Sequence, residues 1–76
     1  MLKNIKNIYF SGINGIGMSG LAKIMKEQGY SVYGSDLEIK PVTEEMEQMG
    51  IEVFIGQKEE NLIGKRIDLF VYSTAI

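Results

Sequence analysis

The 76-residue chain contains no cysteine, no histidine and no tryptophan. Without cysteine it has neither a disulfide framework nor a thiol nucleophile, which suits the reducing cytoplasm. Without histidine it lacks the usual proton shuttle near neutral pH and the most common metal ligand. We therefore expect this chain by itself to catalyse no reaction and to hold no metal.

Basic charge and long apolar runs are also scarce. Eight basic residues stand against ten acidic ones, a net charge of -2, which argues against a nucleic-acid partner. No apolar run approaches the roughly 20 residues of a membrane-spanning helix, and the first residues lead into a strand-like run instead of a signal peptide. A composition of 45% hydrophobic and 24% charged residues is typical of one small globular domain. The sequence predicts a cytoplasmic domain without nucleic-acid or membrane partners.

Strand-like and helix-like segments alternate along the chain. Short runs rich in aromatic and branched residues predict strands at 5–11, 30–34, 51–55 and 68–73. Helical spacing predicts helices over 16–28, ended by Gly29, and from Pro41 to a stop at Gly50, with a further helical turn at 59–62. Such alternation predicts an α/β fold with a parallel sheet of about four strands and right-handed crossovers. Because no helix follows the last strand, we expect an amino-terminal piece of a larger protein or a domain trimmed to its minimum.

Apolar residues at helical spacing indicate which side of each helix is buried. In the first helix they are Leu21, Ile24 and Met25. The charged residues between them are expected to face solvent: Lys23, Lys26 and Glu27. In the second helix the corresponding apolar residues are Val42, Met46 and Met49. Most methionines are expected to fill the core, as this flexible side chain commonly does.

A glycine-rich stretch, SGINGIGMSG at 11–20, joins the first strand to the first helix. In dinucleotide-binding loops the first glycine allows the tight turn, the second lets a diphosphate approach, and the third lets the helix pack against the strand. Gly12 and Gly17 have the first and third roles, while Asn14 stands at the second and Gly15 follows. Asparagine tolerates a positive φ, so we expect Asn14 to hold the turn and its side chain to displace a phosphate toward Gly15 and the helix-start amides.

Two further polar residues bear on a nucleotide site. Asp36 lies at the end of the second predicted strand, where an acid can accept hydrogen bonds from ribose hydroxyls. Ser19 either donates to a phosphate or bonds locally to the backbone. The alternative to a nucleotide site is that Gly12 and Gly17 serve turn and packing alone and that Asp36 only begins a loop.

Four stretches resemble the start of the Mur ligase family in order and spacing: GINGIGMSGLA at 12–22, YGSD at 33–36, VFIGQ at 53–57 and YSTAI at 72–76. The resemblance is to the branch that joins L-alanine to UDP-N-acetylmuramic acid in peptidoglycan precursor synthesis. It implies that 1–76 form a Rossmann-like amino-terminal domain, a three-layer sandwich that binds the UDP moiety. It also implies that ATP and magnesium bind in a central domain of the parent enzyme, with a carboxy-terminal domain beyond. This chain contains no G-x-x-x-x-G-K-[ST] loop for ATP.

Carried over position by position, the resemblance assigns UDP binding to Gly12, Asn14, Gly15, Gly17, Met18, Ser19, Ser35, Asp36, Ser73, Thr74 and Ala75. The chain departs from the family pattern at two positions. Asn14 replaces a glycine, and Gln57 stands where a histidine often follows Ile-Gly. Two alternatives stay open: the related branch that recycles muramoyl peptides, which shares the UDP anchor, and a non-catalytic regulatory module that binds NAD.

Overall fold

The computed structural model describes residues 4–56 and 66–73. They form, in chain order, β1 (Asn7–Ser11), α1 (Ile16–Glu27), β2 (Ser31–Asp36), α2 (Pro41–Gln48), β3 (Glu52–Ile55) and β4 (Leu69–Val71). All neighbouring strands are parallel, and their order across the sheet is β3-β2-β1-β4. The predicted α/β fold with a four-stranded parallel sheet is confirmed. The helical turn predicted at 59–62 lies outside the described residues.

Both helices pack on one face of the sheet. The core on that face contains residues of β1, α1 and α2, namely Ile8, Phe10, Ala22 and Met46. Because successive side chains of a strand point to opposite faces, Tyr9 lies on the other face. Its ring centroid is 5.3 Å from that of Phe70 in β4. The described residues therefore form two layers of the predicted three-layer sandwich.

Glycine ends each helix through the same hydrogen-bonded turn. Gly29 has a φ of 100°, and the N–H of Tyr30 donates back to the carbonyl of Met25 at 3.2 Å. Gly50 has a φ of 91°, and the N–H of Ile51 makes the corresponding 3.0 Å bond into the last turn of α2. These are Schellman turns, which need a left-handed residue that only glycine supplies without strain. The predicted helix stops are confirmed.

The buried side of α1 differs from the predicted one. Its buried residues are Ser19 and Ala22, whereas Leu21 and Ile24 are 41% and 53% exposed. Of the predicted stripe, Met25 packs against the core. The most deeply buried side chains of the helix are small, and the large apolar residues Leu21 and Ile24 lie on a neighbouring face of the helix. The prediction that Leu21 and Ile24 are buried is wrong for this reason.

Candidate functional site

A cleft of about 520 Å³ opens beyond the carboxyl end of β1. It is lined by the end of β1, the glycine loop, the first turn of α1 and the residues after β4: Ser11, Gly12, Gly15, Ile16, Gly17, Met18, Tyr72 and Ser73. The chain leaves β1 toward β2 and β3 on one side and returns to β4 on the other. In open parallel sheets, ligands bind at such a switch point, outside the carboxyl ends of the strands.

The turn after β1 is fixed by backbone hydrogen bonds. Gly12 has a φ of 73°, a conformation that glycine adopts without steric penalty. The N–H groups of Gly12 and Ile13 both donate to the carbonyl of Ser35, at 2.9 and 3.0 Å. The N–H of Gly15 then donates to the carbonyl of Gly12 at 3.1 Å. Gly12 therefore has the turn role expected of the first glycine.

The amino terminus of α1 is directed at the cleft, and neither its cap nor its first turn supplies a neutralising side chain. Gly15 caps the helix with no side-chain hydrogen bond, and the first turn contains no acidic residue. The amides of Ile16, Gly17 and Met18 have no acceptor within the helix, because no helical turn precedes the first one to supply carbonyl groups. All three residues line the cleft. These amides and the positive end of the helix dipole make this end of the cleft suited to an anion.

Close packing in this region occurs at Gly34 of β2 and not at Gly17. A Cβ atom added at Gly17 would have no neighbouring heavy atom within 4 Å. The predicted role of Gly17 in packing helix against strand is therefore wrong, because the residue lies on the exposed, cleft-facing side of the turn. A Cβ at Gly34 would instead lie 2.8 Å from the Cβ of Ile13 and 2.8 Å from the carbonyl oxygen of Phe10.

Asn14 is directed at the start of α2 and does not line the cleft. Its side-chain Nδ2 donates to the carbonyl of Glu38 at 2.8 Å, and its Oδ1 accepts from Thr43 Oγ1 at 2.6 Å. Among the described non-glycine residues, positive φ occurs at Asn4 alone. Asn14 therefore holds the turn without the positive φ that asparagine tolerates. Its side chain is held on the far side of the loop by partners in the β2–α2 segment, so the geometry does not support the expectation that it displaces a phosphate.

The carboxylate of Asp36 ties the end of β2 to the glycine loop. Oδ2 accepts from the N–H of Asn14 at 2.8 Å, and Oδ1 accepts from the N–H of Leu37 at 2.8 Å. A carboxylate has about four acceptor positions, so both oxygens retain capacity for a further donor. Asp36 does not line the cleft, and a contact with ribose stays a prediction.

The remaining assigned residues divide between the cleft and the interior. Ser73 lines the cleft. Ser19 is buried, and its Oγ donates to the carbonyl of Ile16 at 3.2 Å. Of the two roles expected for Ser19, a phosphate contact or a local backbone bond, the structure shows the backbone bond. Ser35 is also buried and contributes its backbone carbonyl to the turn. Gln57, Thr74 and Ala75 lie outside the described residues.

Three cleft residues were missed by sequence reasoning: Ser11, Ile16 and Tyr72. Tyr72 stands in the resembling stretch YSTAI, directly before the assigned Ser73. Its position after a strand that pairs with β1 was a usable signal, because neighbouring parallel strands bring their carboxyl ends to one edge of the sheet. Ile16 follows the helix cap, and nothing in its residue type indicates a binding role.

At the amino-terminal ends of the strands, opposite the cleft, Asp68 holds β4 beside β1. Its Oδ2 accepts from the backbone N–H groups of Asn7 and Lys6, at 2.9 and 3.0 Å, and its own N–H donates to the carbonyl of Asn7 at 2.9 Å. The hydrogen bonds from Asn7 and Lys6 lower the pKa of Asp68, burial opposes them, and the nearby Arg66 guanidinium adds a smaller lowering. Asp68 thereby supports β4, the strand that is followed by the cleft residues Tyr72 and Ser73.

Residues 4–56 and 66–73 contain neither a candidate membrane span nor a candidate metal site. Neither helix is long and apolar enough to cross a membrane. No three histidine, cysteine, aspartate or glutamate side chains come together there in a way that could hold a metal ion.

Known proteins are similar to this chain in both sequence and fold. A family model described as "Mur ligase family, catalytic domain" matches residues 7–76. The UDP-N-acetylmuramate--L-alanine ligase of Fusobacterium nucleatum is 55% identical over 75 residues, covering 99% of this chain and 16% of that protein. The ligase of the same name from Psychrobacter sp. (strain PRwf-1) is 47% identical over 75 residues, covering 99% of this chain and 15% of that protein.

A crystal structure of UDP-N-acetylmuramate:L-alanyl-gamma-D-glutamyl-meso-diaminopimelate ligase from Neisseria meningitides superposes with a TM-score of 0.84. Sequence identity to it is 34%, covering 95% of this chain and 22% of that one. The chain thus spans only 15% and 16% of the length of the two curated relatives. Because the family model matches nearly the whole chain, from residue 7 to residue 76, this chain belongs to the Mur ligase family.

Proposed function

We propose that this chain binds the UDP moiety of UDP-N-acetylmuramic acid, as the amino-terminal domain of a cytoplasmic ligase that adds L-alanine in peptidoglycan precursor synthesis. One observation carries the proposal: the amino terminus of α1, whose first turn contains no acidic residue, is directed into a cleft at the switch point of the sheet. The relatives named for alanine ligation are 47% and 55% identical to this chain. The structure named for the peptide ligase is 34% identical, which favours the alanine branch over the recycling branch.

The diphosphate is the part of the ligand that the cleft suits best. Its negative charge matches the amides of Ile16, Gly17 and Met18 and the helix dipole. The absence of a side chain at Gly17, on the open side of this turn, leaves the backbone accessible to phosphate oxygens. The cleft volume of about 520 Å³ lies within the range of small-molecule sites, about 300–1,000 Å³.

The nucleoside would lie along the edge of the sheet beside the loop. Tyr72 is 66% exposed and offers an apolar ring with a polar tip to a base or sugar. Ser73 lines the same wall, and the resemblance assigns Thr74 and Ala75 with it. A contact between the ribose and Asp36 requires the ligand to extend from β1 over the end of β2, where the free acceptor positions of this carboxylate lie.

In the parent enzyme this domain would act by anchoring the substrate. The γ-phosphoryl group of ATP, bound with magnesium by other domains, would be transferred to the muramoyl carboxylate with release of ADP, and the amine of L-alanine would then attack the acyl phosphate with release of phosphate. Binding energy from the remote UDP group would position the carboxylate for these steps. The chain itself would bind its ligand without turnover.

The test is a titration of the 76-residue chain with UDP-N-acetylmuramic acid, UDP and NAD, followed by backbone amide shifts. We expect UDP and the UDP-sugar to shift the amides of Gly15, Gly17 and Met18. Asp36 at the end of β2 is the observation that favours the second candidate, an NAD-binding regulatory module. A response to NAD alone would support that candidate, and no response to any of the three would refute UDP binding by this chain.

A further inference from the structure

A chain of hydrogen bonds runs from the glycine loop to the start of α2 through the side chain of Asn14. We propose that Asn14 is a positioning residue: it locks the glycine loop to the β2–α2 segment and so fixes the direction of the amides at the start of α1. The inference rests on the proposed function, because those amides are the groups assigned to the diphosphate. Asn14 itself does not touch the cleft.

The contacts of Asn14 use both ends of its amide. Nδ2 donates to the carbonyl of Glu38 at 2.8 Å, and Oδ1 accepts from Thr43 Oγ1 at 2.6 Å. Thr43 Oγ1 in turn accepts from the N–H of Lys40 at 3.0 Å. Asn14 and Thr43 are only 9% and 1% exposed. Hydrogen bonds in such surroundings are strengthened by the low local dielectric, and losing one partner leaves the other buried and unpaired.

The backbone of Asn14 is held as firmly as its side chain. Its N–H donates to Asp36 Oδ2 at 2.8 Å. The next residue, Gly15, is the cap of α1, and its carbonyl accepts the N–H of Ser19 at 2.7 Å. The position of Asn14 therefore determines where the cap lies and where the first helical amides point.

The loop itself carries few side chains that could hold it in place. Between Gly12 and Gly15 the only side chains are those of Ile13, which is fully buried in the core, and Asn14. Glycines lose more conformational freedom on ordering than other residues. Without the Asn14 side chain, the stretch from Ile13 to the cap would keep the buried Ile13 side chain, the bond from the Asn14 N–H to Asp36 and its backbone bonds, but would lose both side-chain bonds to the β2–α2 segment. A ligand would then have to order it on binding, which lowers affinity.

The test compares Asn14→Ala, Thr43→Val and the conservative Thr43→Ser in the full chain. Affinity for UDP is measured by calorimetry and global stability by urea unfolding. We expect Asn14→Ala to weaken UDP binding by about ten-fold, equivalent to about 1.4 kcal/mol, and Thr43→Val by about three-fold. Thr43→Ser retains the hydroxyl and should bind like the original chain. The double variant Asn14→Ala with Thr43→Val should lose no more UDP affinity than the sum of the two single losses, because both substitutions remove the same hydrogen bond.

A second readout separates positioning from general stability. Hydrogen exchange at the amide of Ser19, which donates to the cap, should accelerate in Asn14→Ala more than exchange at the β1 amides, which report global opening. The control is Glu45→Ala, which removes the exposed contact of 2.7 Å between Lys23 and Glu45. This contact also joins α1 to α2, and its loss should leave UDP affinity and Ser19 exchange unchanged.

Each outcome decides the proposal. If Asn14→Ala loses stability but binds UDP normally, with Ser19 and β1 exchange accelerated equally, Asn14 has no positioning role. If Asn14→Ala fails to fold, the Thr43 pair decides: weaker binding in Thr43→Val restored in Thr43→Ser supports the proposal, and unchanged binding in both overturns it. If the original chain does not bind UDP, the proposed function fails, and Ser19 exchange without ligand alone decides whether Asn14 fixes the cap.

Discussion

Adding a single methyl group at Gly17 should separate ligand binding from stability. In Gly17→Ala, the new Cβ meets no heavy atom within 4 Å, so the folded chain accepts it without rearrangement. Alanine is a better helix residue than glycine by up to about 1 kcal/mol, less near a helix end. We therefore expect unchanged or slightly higher stability. The methyl group nevertheless stands on the cleft-facing side of the first turn, where phosphate oxygens would approach the backbone.

The expected loss of affinity follows from the contacts that the methyl group displaces. One charge-assisted hydrogen bond between an amide and a phosphate is worth about 1.5–3 kcal/mol, or roughly ten- to a hundred-fold in the dissociation constant. Calorimetry with UDP measures this loss, and urea unfolding measures the stability. The comparison is meaningful only if both are measured on the same preparation.

Gly20→Ala is the matched control for this experiment. Gly20 lies in the same helix and a Cβ there also has no heavy atom within 4 Å, but the residue does not line the cleft. It should therefore stabilise the helix and leave UDP affinity unchanged. If Gly17→Ala binds UDP as Gly20→Ala does, the diphosphate does not lie against the first turn of α1. A clear fall in stability for Gly17→Ala would contradict the finding that a methyl group at this position meets no neighbouring atom.

Three further predictions test the loop, the nucleoside contact and the amino-terminal ends of the strands. Gly34→Ala should destabilise the chain by about 1–3 kcal/mol or more in urea unfolding, because its Cβ would lie 2.8 Å from a carbonyl oxygen that cannot move freely; a variant as stable as the original would contradict the packing described. Asp36→Ala should lower both stability and UDP affinity, since it releases the amide of Asn14; intact affinity in calorimetry would remove Asp36 from the site. The lowered pKa of Asp68 means that its stabilising contribution is complete above the usual aspartate pKa of about 3.9 and disappears as the pH falls below it. Asp68→Asn should therefore flatten the acid limb of the unfolding free energy against pH, and an unchanged limb would count against this origin of the pKa shift.

The order of the strands and helices could be predicted because its signals are local. Gly29 and Gly50 end helices through bonds that involve only the last helical turn, and the branched and aromatic runs predicted strands within a few residues of their observed bounds. The buried side of α1 could not be predicted in the same way. Which face meets the sheet depends on how closely the helix approaches it, and Ala22 allows a closer approach than Leu21 would.

The candidate site was predictable where the backbone forms it, whereas the partners of the Asn14 side chain were not. Gly12, Gly15, Gly17 and Met18 line the cleft, since a glycine turn entering a helix places amides at the sheet edge whatever surrounds it.

The polar residues of the motif behave differently because a side chain hydrogen-bonds to whatever the fold places opposite it. Asn14 turns toward Thr43, which is 29 residues further along the chain, and its amide engages Asp36 from the neighbouring strand. Neither partner is visible from the loop alone. A polar residue that holds a loop and one that touches the ligand can be of the same residue type. The direction of their hydrogen bonds distinguishes them, and here that direction assigns Asn14 to the support of the site.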